Sequence, residues 1–211
     1  MREIKRRGVM FVVSSPSGAG KTSIVKQLLS LDQDLVCSVS ITTRPKRPGE
    51  VDGKDYYFVS TETFHELLAN GELLEHAYVY DHYYGTPKSF VLQALSDGKD
   101  VIFDIDWQGT QQLAQLGRSD LIGVFILPPS VEELEKRLRK RGSDSEDVLS
   151  KRMQSASADI SHWAEYDYVI INRQFDKSVQ RIYSILISER LKRKRLLGLV
   201  DFVNELRQHP K

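Results

Sequence analysis

The chain has 211 residues, enough to bury a substantial core as one domain of ordinary size or one with insertions. Its 30 Lys and Arg against 29 Asp and Glu leave a formal charge of +1, which argues against a global polyanion-binding role and confines basic chemistry to local sites. The single cysteine, Cys37, excludes an intrachain disulfide and is expected to be a buried structural thiol in its apolar-alternating run.

In chain order, Arg2, Lys5, Arg6 and Arg7 followed by Val9 to Val13 have the outline of a secretory leader. The apolar run is too short for a signal core or a membrane span, and it is needed as a buried parallel strand. A cytoplasmic location is the default expectation. Next comes Ser14-Ser15-Pro16-Ser17-Gly18-Ala19-Gly20-Lys21-Thr22-Ser23, a phosphate-binding loop, and then Ile24 to Leu29 with helical spacing. Gly18 and Gly20 let the backbone turn its N–H groups toward a phosphate, and the helix start adds more N–H groups and a positive dipole end. Lys21 supplies a mobile cation for the β- and γ-phosphates, and the Thr22 hydroxyl can ligate Mg²⁺. Ser15 stands where the usual pattern begins with Gly.

Further strands are expected at Leu35 to Ser40, Val101 to Ile105, Leu121 to Leu127 and Tyr168 to Ile171. Their alternation with helical segments predicts an α/β fold with a parallel central sheet. Residues 40–86, rich in Tyr, Gly and Pro, suggest a small antiparallel insert with strand pieces at Tyr56 to Ser60 and Leu73 to Val79. Residues 130–160 read as two charged helices joined around Gly142-Ser143-Asp144, a polar pair resembling a cover over a site. Reciprocal caps are expected for Ser130 with Glu133, Ser143 with Glu146 and Thr63 with Glu66, and stops at Gly71, Gly98 and Gly142. The last long helix, about Asp176 to Leu197, carries Lys192-Arg193-Lys194-Arg195, expected to be a solvated face and not a nucleic-acid contact. An amphipathic tail (Leu199, Phe202, Val203, Leu206) packs on the core or on a second subunit, leaving monomer and homodimer both open.

The segment from Ser40 to Tyr56, Ser-Ile-Thr-Thr-Arg-Pro-Lys-Arg-Pro-Gly-Glu-Val-Asp-Gly-Lys-Asp-Tyr, resembles the GMP-binding signature of guanylate kinases. The likeness covers almost the whole chain and weakens only toward the C-terminus. It implies a P-loop NTPase fold: a core of residues 1–39, 87–129 and 161–211, a small mixed α/β GMP-binding insert at 40–86, and a helical lid at 130–160. It also implies ATP binding by loop residues Ser15, Pro16, Ser17, Gly18, Ala19, Gly20, Lys21, Thr22 and Ser23.

The chemistry of the signature residues is consistent with that likeness. Arg44 and Arg47, three apart in a Gly/Pro-punctuated stretch, can converge two guanidinium forks on one phosphate, and Tyr56 and Tyr84 can add phenolic donors. The resemblance assigns all four to the GMP phosphate. A carboxylate accepts both the N1–H and the 2-amino group of guanine, and Glu75 matches the family's guanine-reading acid, with Ser40 and Thr86 as its hydroxyl partners. Asp104 and Asp106 end a strand at the crevice where open α/β sheets bind ligands. Asp104 resembles the metal-side acid and Asp106 a second guanine contact, the two being expected on opposite faces. By resemblance, Arg141 and Arg152 close onto the transferring phosphates and Arg137 lies near the adenine. Asn172 matches the first member of the family's adenine-side Asn-Asp pair, whose second member here is Arg173.

The implied reaction is ATP + GMP to ADP + GDP, with Mg²⁺ on the ATP phosphates and no nucleic-acid or membrane partner. The acceptor is already a phosphate anion, so no general base is needed. His65, His76, His82, His162 and His209 form no triad or metal-ligand spacing, in keeping with that. Catalysis would be positioning and charge stabilisation by Lys21, Arg44, Arg141 and Arg152. Two alternatives stand beside it: a non-catalytic guanylate-kinase-like interaction module, and a related P-loop kinase with a ribose-phosphate acceptor.

Overall fold

The computed structural model describes residues 4–79, 81–116, 119–140 and 146–208, without the side chains of 146–148. The chain begins with β1 (Met10–Ser14), α1 (Lys21–Leu31), β2 (Leu35–Cys37), β3 (Ile41–Thr42) and β4 (Tyr57–Phe58). It continues through α2 (Thr61–Ala69), β5 (Leu73–Val79), β6 (His82–Pro87), α3 (Lys88–Ser96), β7 (Asp100–Phe103) and α4 (Trp107–Gln115). β8 (Leu121–Leu127), α5 (Val131–Lys140), α6 (Glu146–Ser161), β9 (Tyr168–Ile171), α7 (Phe175–Arg190) and α8 (Leu199–Gln208) complete it.

Five strands form a parallel sheet in the order β2-β7-β1-β8-β9. β1 is buried along its whole length, as a central strand covered on both faces must be. Side chains alternate across it. Phe11 and Val13 join Ile24 and Leu28 of α1 and Ile182 and Leu186 of α7 on one face. Met10 and Val12 join Val91 and Leu95 of α3 and Leu113 of α4 on the other. The second sheet, in the order β4-β3-β6-β5, is mixed: β3 runs parallel to β4, while β6 is antiparallel to β3 and β5. The expected all-antiparallel insert is thus corrected by a single parallel pair. α5 and α6 pack on each other through Leu134, Leu138, Leu149 and Ala156.

The leader-like basic segment fastens the base of the parallel sheet. Fully buried Asp100 accepts from the Arg6 guanidinium at 2.6 and 3.0 Å, from Arg190 Nε at 2.6 Å and from the Val9 amide at 2.8 Å. Arg7 pairs with Asp120 at 3.0 Å. Among the described residues no helix is long and apolar enough to cross a membrane.

Several local expectations shift. α2 is capped by Ser60, whose Oγ accepts from the Thr63 amide at 3.2 Å, so the cap lies one turn before the expected Thr63 pair. Ser130 accepts from the Glu133 amide at 3.2 Å, one half of the expected reciprocal pair, while the Glu133 carboxylate turns to Arg137; Gly71 and Gly98 follow α2 and α3. The Ser143–Glu146 box and the Gly142 stop lie outside the described residues. α7 ends at Arg190, and the basic run after it is not simply solvated. Arg195 is buried against the equally buried Glu189, which also pairs with Lys192, and Lys194 donates to the Ser119 carbonyl. The run satisfies one buried carboxylate, because an unpaired charge in that position would be costly. Cys37 is half-buried at the core margin, and burial pushes its thiol up to about 11. No residue of α8 is buried, and Val203 and Leu206 are exposed.

Candidate active site

The phosphate loop joins the end of β1 to the start of α1, where a parallel sheet opens onto its ligand crevice. Gly18 and Gly20 take φ of 88° and 101°, the left-handed region that side chains resist. Gly20 stands at the N-cap of α1 with no side-chain cap, so the first-turn N–H groups stay available to an anion. A Cβ on Gly20 would come within 2.7 Å of Asn172 Nδ2. That amide, buried at the end of β9, donates to the Ala19 carbonyl at 2.8 Å while its Oδ1 accepts from Ser178 Oγ at 2.9 Å. Asn172 therefore pins the loop from beneath, with both ends of its amide engaged. The Ser15 hydroxyl donates to the Pro16 carbonyl at 2.9 Å, which occupies the irregular first position with a bond inside the loop. Lys21 Nζ pairs with Asp104 and lies 3.4 Å from the Ile105 carbonyl. Ser15, Pro16, Ser17, Gly18, Gly20, Lys21 and Thr22 border a cavity of about 580 Å³ shared with α4 and α6, while Ala19 is buried behind it and Ser23 is exposed.

A smaller cavity of about 200 Å³ opens between the two sheets, lined among others by Ser40, Tyr56, Glu75, Tyr84, Asp104 and Asp106. Lys21, Val79 and Asp106 border both cavities, so the two lie side by side. Glu75 on β5 is only 4 % exposed, and its Oε1 accepts from the Thr86 hydroxyl at 2.6 Å across the β5–β6 pair. Burial pushes its carboxyl up to about 7. Thr86 lies behind Glu75, fully buried, and does not line the cavity.

Arg44 is also buried and makes a two-pronged pair with Glu50 at 2.7 and 3.1 Å, over the rings of Tyr56 and Phe58. Glu50 accepts the Arg47 amide as well, at 2.8 Å, so one carboxylate orders the stretch that carries both arginines. Arg47 is exposed. Burial raises the Tyr56 phenol, which keeps it a donor. Asp104 and Asp106 do not face opposite sides: both border the smaller cavity. Residues two apart along extended chain share a face, and the strand pairing has already ended at Phe103. Asp106 caps α4, accepting from the Gly109 amide at 3.1 Å.

On the helical hairpin, Arg137 Nε pairs with Glu133 at 2.8 Å and its NH1 lies 3.4 Å from the Ala19 carbonyl, beside the loop. Arg152 sits half-buried on α6. Arg141 lies outside the described residues.

Sequence reasoning missed the core side of this cleft. Gly109 packs so closely on Glu75 that a Cβ there would come within 2.5 Å of its Oε2. A glycine in the third position of a helix, just after a capping Asp, is a signal of such an approach. Trp107 and Gln108 line the larger cavity with Asp159 of α6, whose carboxyl burial raises. Trp107 stacks on His162, ring centroids 3.8 Å apart and 8° from parallel, which joins the start of α4 to the chain just after α6.

A family model described as guanylate kinase matches residues 7–189. The chain is 58% identical over 204 residues to the guanylate kinase of Paramagnetospirillum magneticum, covering 97% of this chain and 95% of that protein. It is 55% identical to that of Zymomonas mobilis, covering 98% and 96%. A crystal structure of guanylate kinase from Anaplasma phagocytophilum superimposes with a TM-score of 0.79 at 38% identity, covering 96% of both chains. A family match spanning residues 7–189, with relatives more than half identical over nearly the whole length of both chains, shows that the chain belongs to the guanylate kinase family.

Proposed function

We propose that the two adjacent cavities are where this guanylate kinase moves the γ-phosphoryl group of ATP onto GMP, the phosphate loop holding the donor and the β5–β6 side holding the acceptor. One observation carries the reading. Lys21 and Asp106 border both cavities, so a phosphate on the loop and a base against Glu75 would share one cleft. In the transfer, the bond from the γ-phosphorus to the bridging oxygen breaks and a bond to a GMP phosphate oxygen forms, ADP leaving with the electron pair. The acceptor oxygen carries no proton that must be removed, so the chain's task is to align and to balance charge. Lys21 follows the moving phosphoryl group, Arg44 and Arg47 with Tyr56 and Tyr84 hold the acceptor phosphate, and Glu75 with Ser40 and Asp106 reads guanine. Arg152, with Arg141, adds charge from the hairpin, and Arg137 flanks the adenine end. Closure of residues 130–160 over the larger cavity excludes water, which would otherwise take the phosphoryl group.

Mg²⁺ fits the residues present. Among the described residues no cluster of three or more His, Cys, Asp or Glu side chains gathers to hold a cation unaided. A hydroxyl from Thr22, with the carboxylate of Asp104 that pairs with the adjoining Lys21, suits an ion that takes most of its ligands from phosphates and water. Bound there, it would neutralise charge on the triphosphate.

An assay coupled to ADP formation, run with GMP, AMP, UMP and a ribose phosphate, tests the reading. GMP is expected to exceed each of the others by at least about 10³-fold in kcat/KM. ATP binding without ADP formation from GMP would sink it, and turnover of the ribose phosphate would favour the rival acceptor. Gly109→Ala gives a finer check. Alanine suits a helix better than glycine by roughly 0.5–1 kcal/mol, but its methyl displaces the Glu75 carboxylate. We expect kcat/KM for GMP to fall by about 10²-fold in steady-state kinetics, with ATP affinity retained in a direct titration.

A further inference from the structure

β5 is an edge strand of the four-stranded sheet, so the outward-pointing peptide groups along it need partners from elsewhere. At His76, the residue after Glu75, one side chain supplies both. The His76 amide donates to Gln112 Oε1 at 3.0 Å, and Gln112 Nε2 donates to the His76 carbonyl at 2.5 Å. The carboxamide thus stands in for the peptide of a missing neighbour strand. Gln112 belongs to α4; three residues before it on that helix is Gly109, which abuts the Glu75 carboxylate, and six before it is the capping residue Asp106, which borders the same cavity. The helix itself is rooted in the core. Leu113 is fully buried, and Thr110 contacts Ser14 at the end of β1 at 3.2 Å and receives a hydrogen bond from Tyr166 at 3.1 Å.

We infer that Gln112 is a positioning residue for guanine selection: through its two hydrogen bonds to the His76 backbone it fixes Glu75 relative to the core that carries the phosphate loop. The inference rests on the reading of Glu75 as the guanine-binding carboxylate. A carboxylate that accepts two donors on one edge of a base must be held in angle as well as in place. The strand that carries Glu75 has a register irregularity between Leu73 and Glu75, so the β5–β6 ladder alone does not set that angle. The α4 brace supplies the second constraint.

Gln112→Met keeps the length and packing of the side chain and removes both bonds. The expected result is a KM for GMP raised about 10-fold, with kcat lowered less than KM rises. The preference for GMP over inosine monophosphate, which lacks the 2-amino donor, should narrow by at least about 3-fold. ATP affinity, titrated on the same protein, is expected to stay within about twofold, which also reports that the core is folded. An unchanged KM for GMP together with an unchanged base preference overturns the inference. A parallel loss of ATP affinity overturns it as well, since the bonds would then hold the core and not the carboxylate. Glu75→Gln, measured alongside, separates the two levels. If that variant keeps the preference for GMP over inosine monophosphate, the guanine reading of Glu75 fails and this inference with it. If it loses the preference and Gln112→Met does not, only the positioning role fails.

Discussion

Replacing Glu75 with leucine is expected to lower kcat/KM for GMP by about 10³-fold or more while ATP affinity stays within about twofold. The reason lies in what the carboxylate costs and what it meets. Glu75 is 4 % exposed, lines the smaller cavity and among the described residues accepts a hydrogen bond from Thr86 on Oε1, which leaves acceptor capacity for a base. Guanine offers two donors on one edge, and leucine would leave both without protein partners. Adenine presents a lone pair there, which a carboxylate repels. Steady-state kinetics with both nucleotides, together with an ATP titration, measure the effect. A KM for GMP that survives the substitution would remove Glu75 from base recognition.

The same residue predicts a pH dependence. Burial raises its carboxyl from the ordinary 4.5 to about 7, the Thr86 hydroxyl opposing and the Asp106 charge adding. Guanine needs the ionised form, so KM for GMP is expected to climb as pH falls below about 7. Stability runs the other way. The folded chain keeps a proton that the unfolded chain releases above 4.5, so this contribution is fully present below 4.5 and is lost as pH rises through about 7. A shift of that size corresponds to about 3 kcal/mol. Glu75→Gln is therefore expected to be more resistant to denaturant than the parent at pH 8 and close to it at pH 4.5. Equal differences at both pH values would place the raised ionisation elsewhere.

What the sequence made legible divides along the range of the interactions. β5, β8 and β9 lie where their apolar or alternating runs place them, because strand identity depends on residues within the same few positions. The phosphate loop is equally local: two glycines, a lysine and a hydroxyl in a fixed order between a strand and a helix. Glu75, Arg44 and Tyr56 were found through a resemblance, since no spacing rule connects residues 44, 56 and 75. What stayed hidden depends on distant partners. Gly109 and Gln112 take their meaning from residues 75 and 76 on β5; the glycine near the start of α4 signals a close approach without naming what approaches, and the glutamine carries no mark at all. Arg195 looked like part of a solvated basic run because the partner that buries it, Glu189, lies on the preceding helix in an otherwise ordinary charged turn. The bond of Asn172 to Ala19, beneath the loop, is also long-range and carries no signal in the sequence around residue 172. The pairing of Asp104 with Lys21 likewise needed three dimensions, since the two lie on different strand–helix connections.

Lys21→Met is expected to lower kcat by about 10³-fold while affinity for GMP stays within about threefold. Methionine keeps the unbranched stem, so the loop retains its packing and loses only the charge. The loss to the fold is small, because Asp104, the partner left behind, has a side chain 33% exposed and can be solvated. The loss to the reaction is large. Negative charge spreads over the moving phosphoryl oxygens as the bridging bond breaks, and in the proposed reading Lys21, which borders both cavities, is the cation that meets it. A charge placed there acts on the transition state more than on either bound nucleotide, so kcat should fall further than either KM rises. Single-turnover rates at saturating ATP and GMP, with GMP affinity measured by calorimetry, separate chemistry from binding. Should kcat remain within tenfold of the parent, the charge at residue 21 would not be stabilising the transfer, and the arginines of the insert and hairpin would have to balance the phosphates without it.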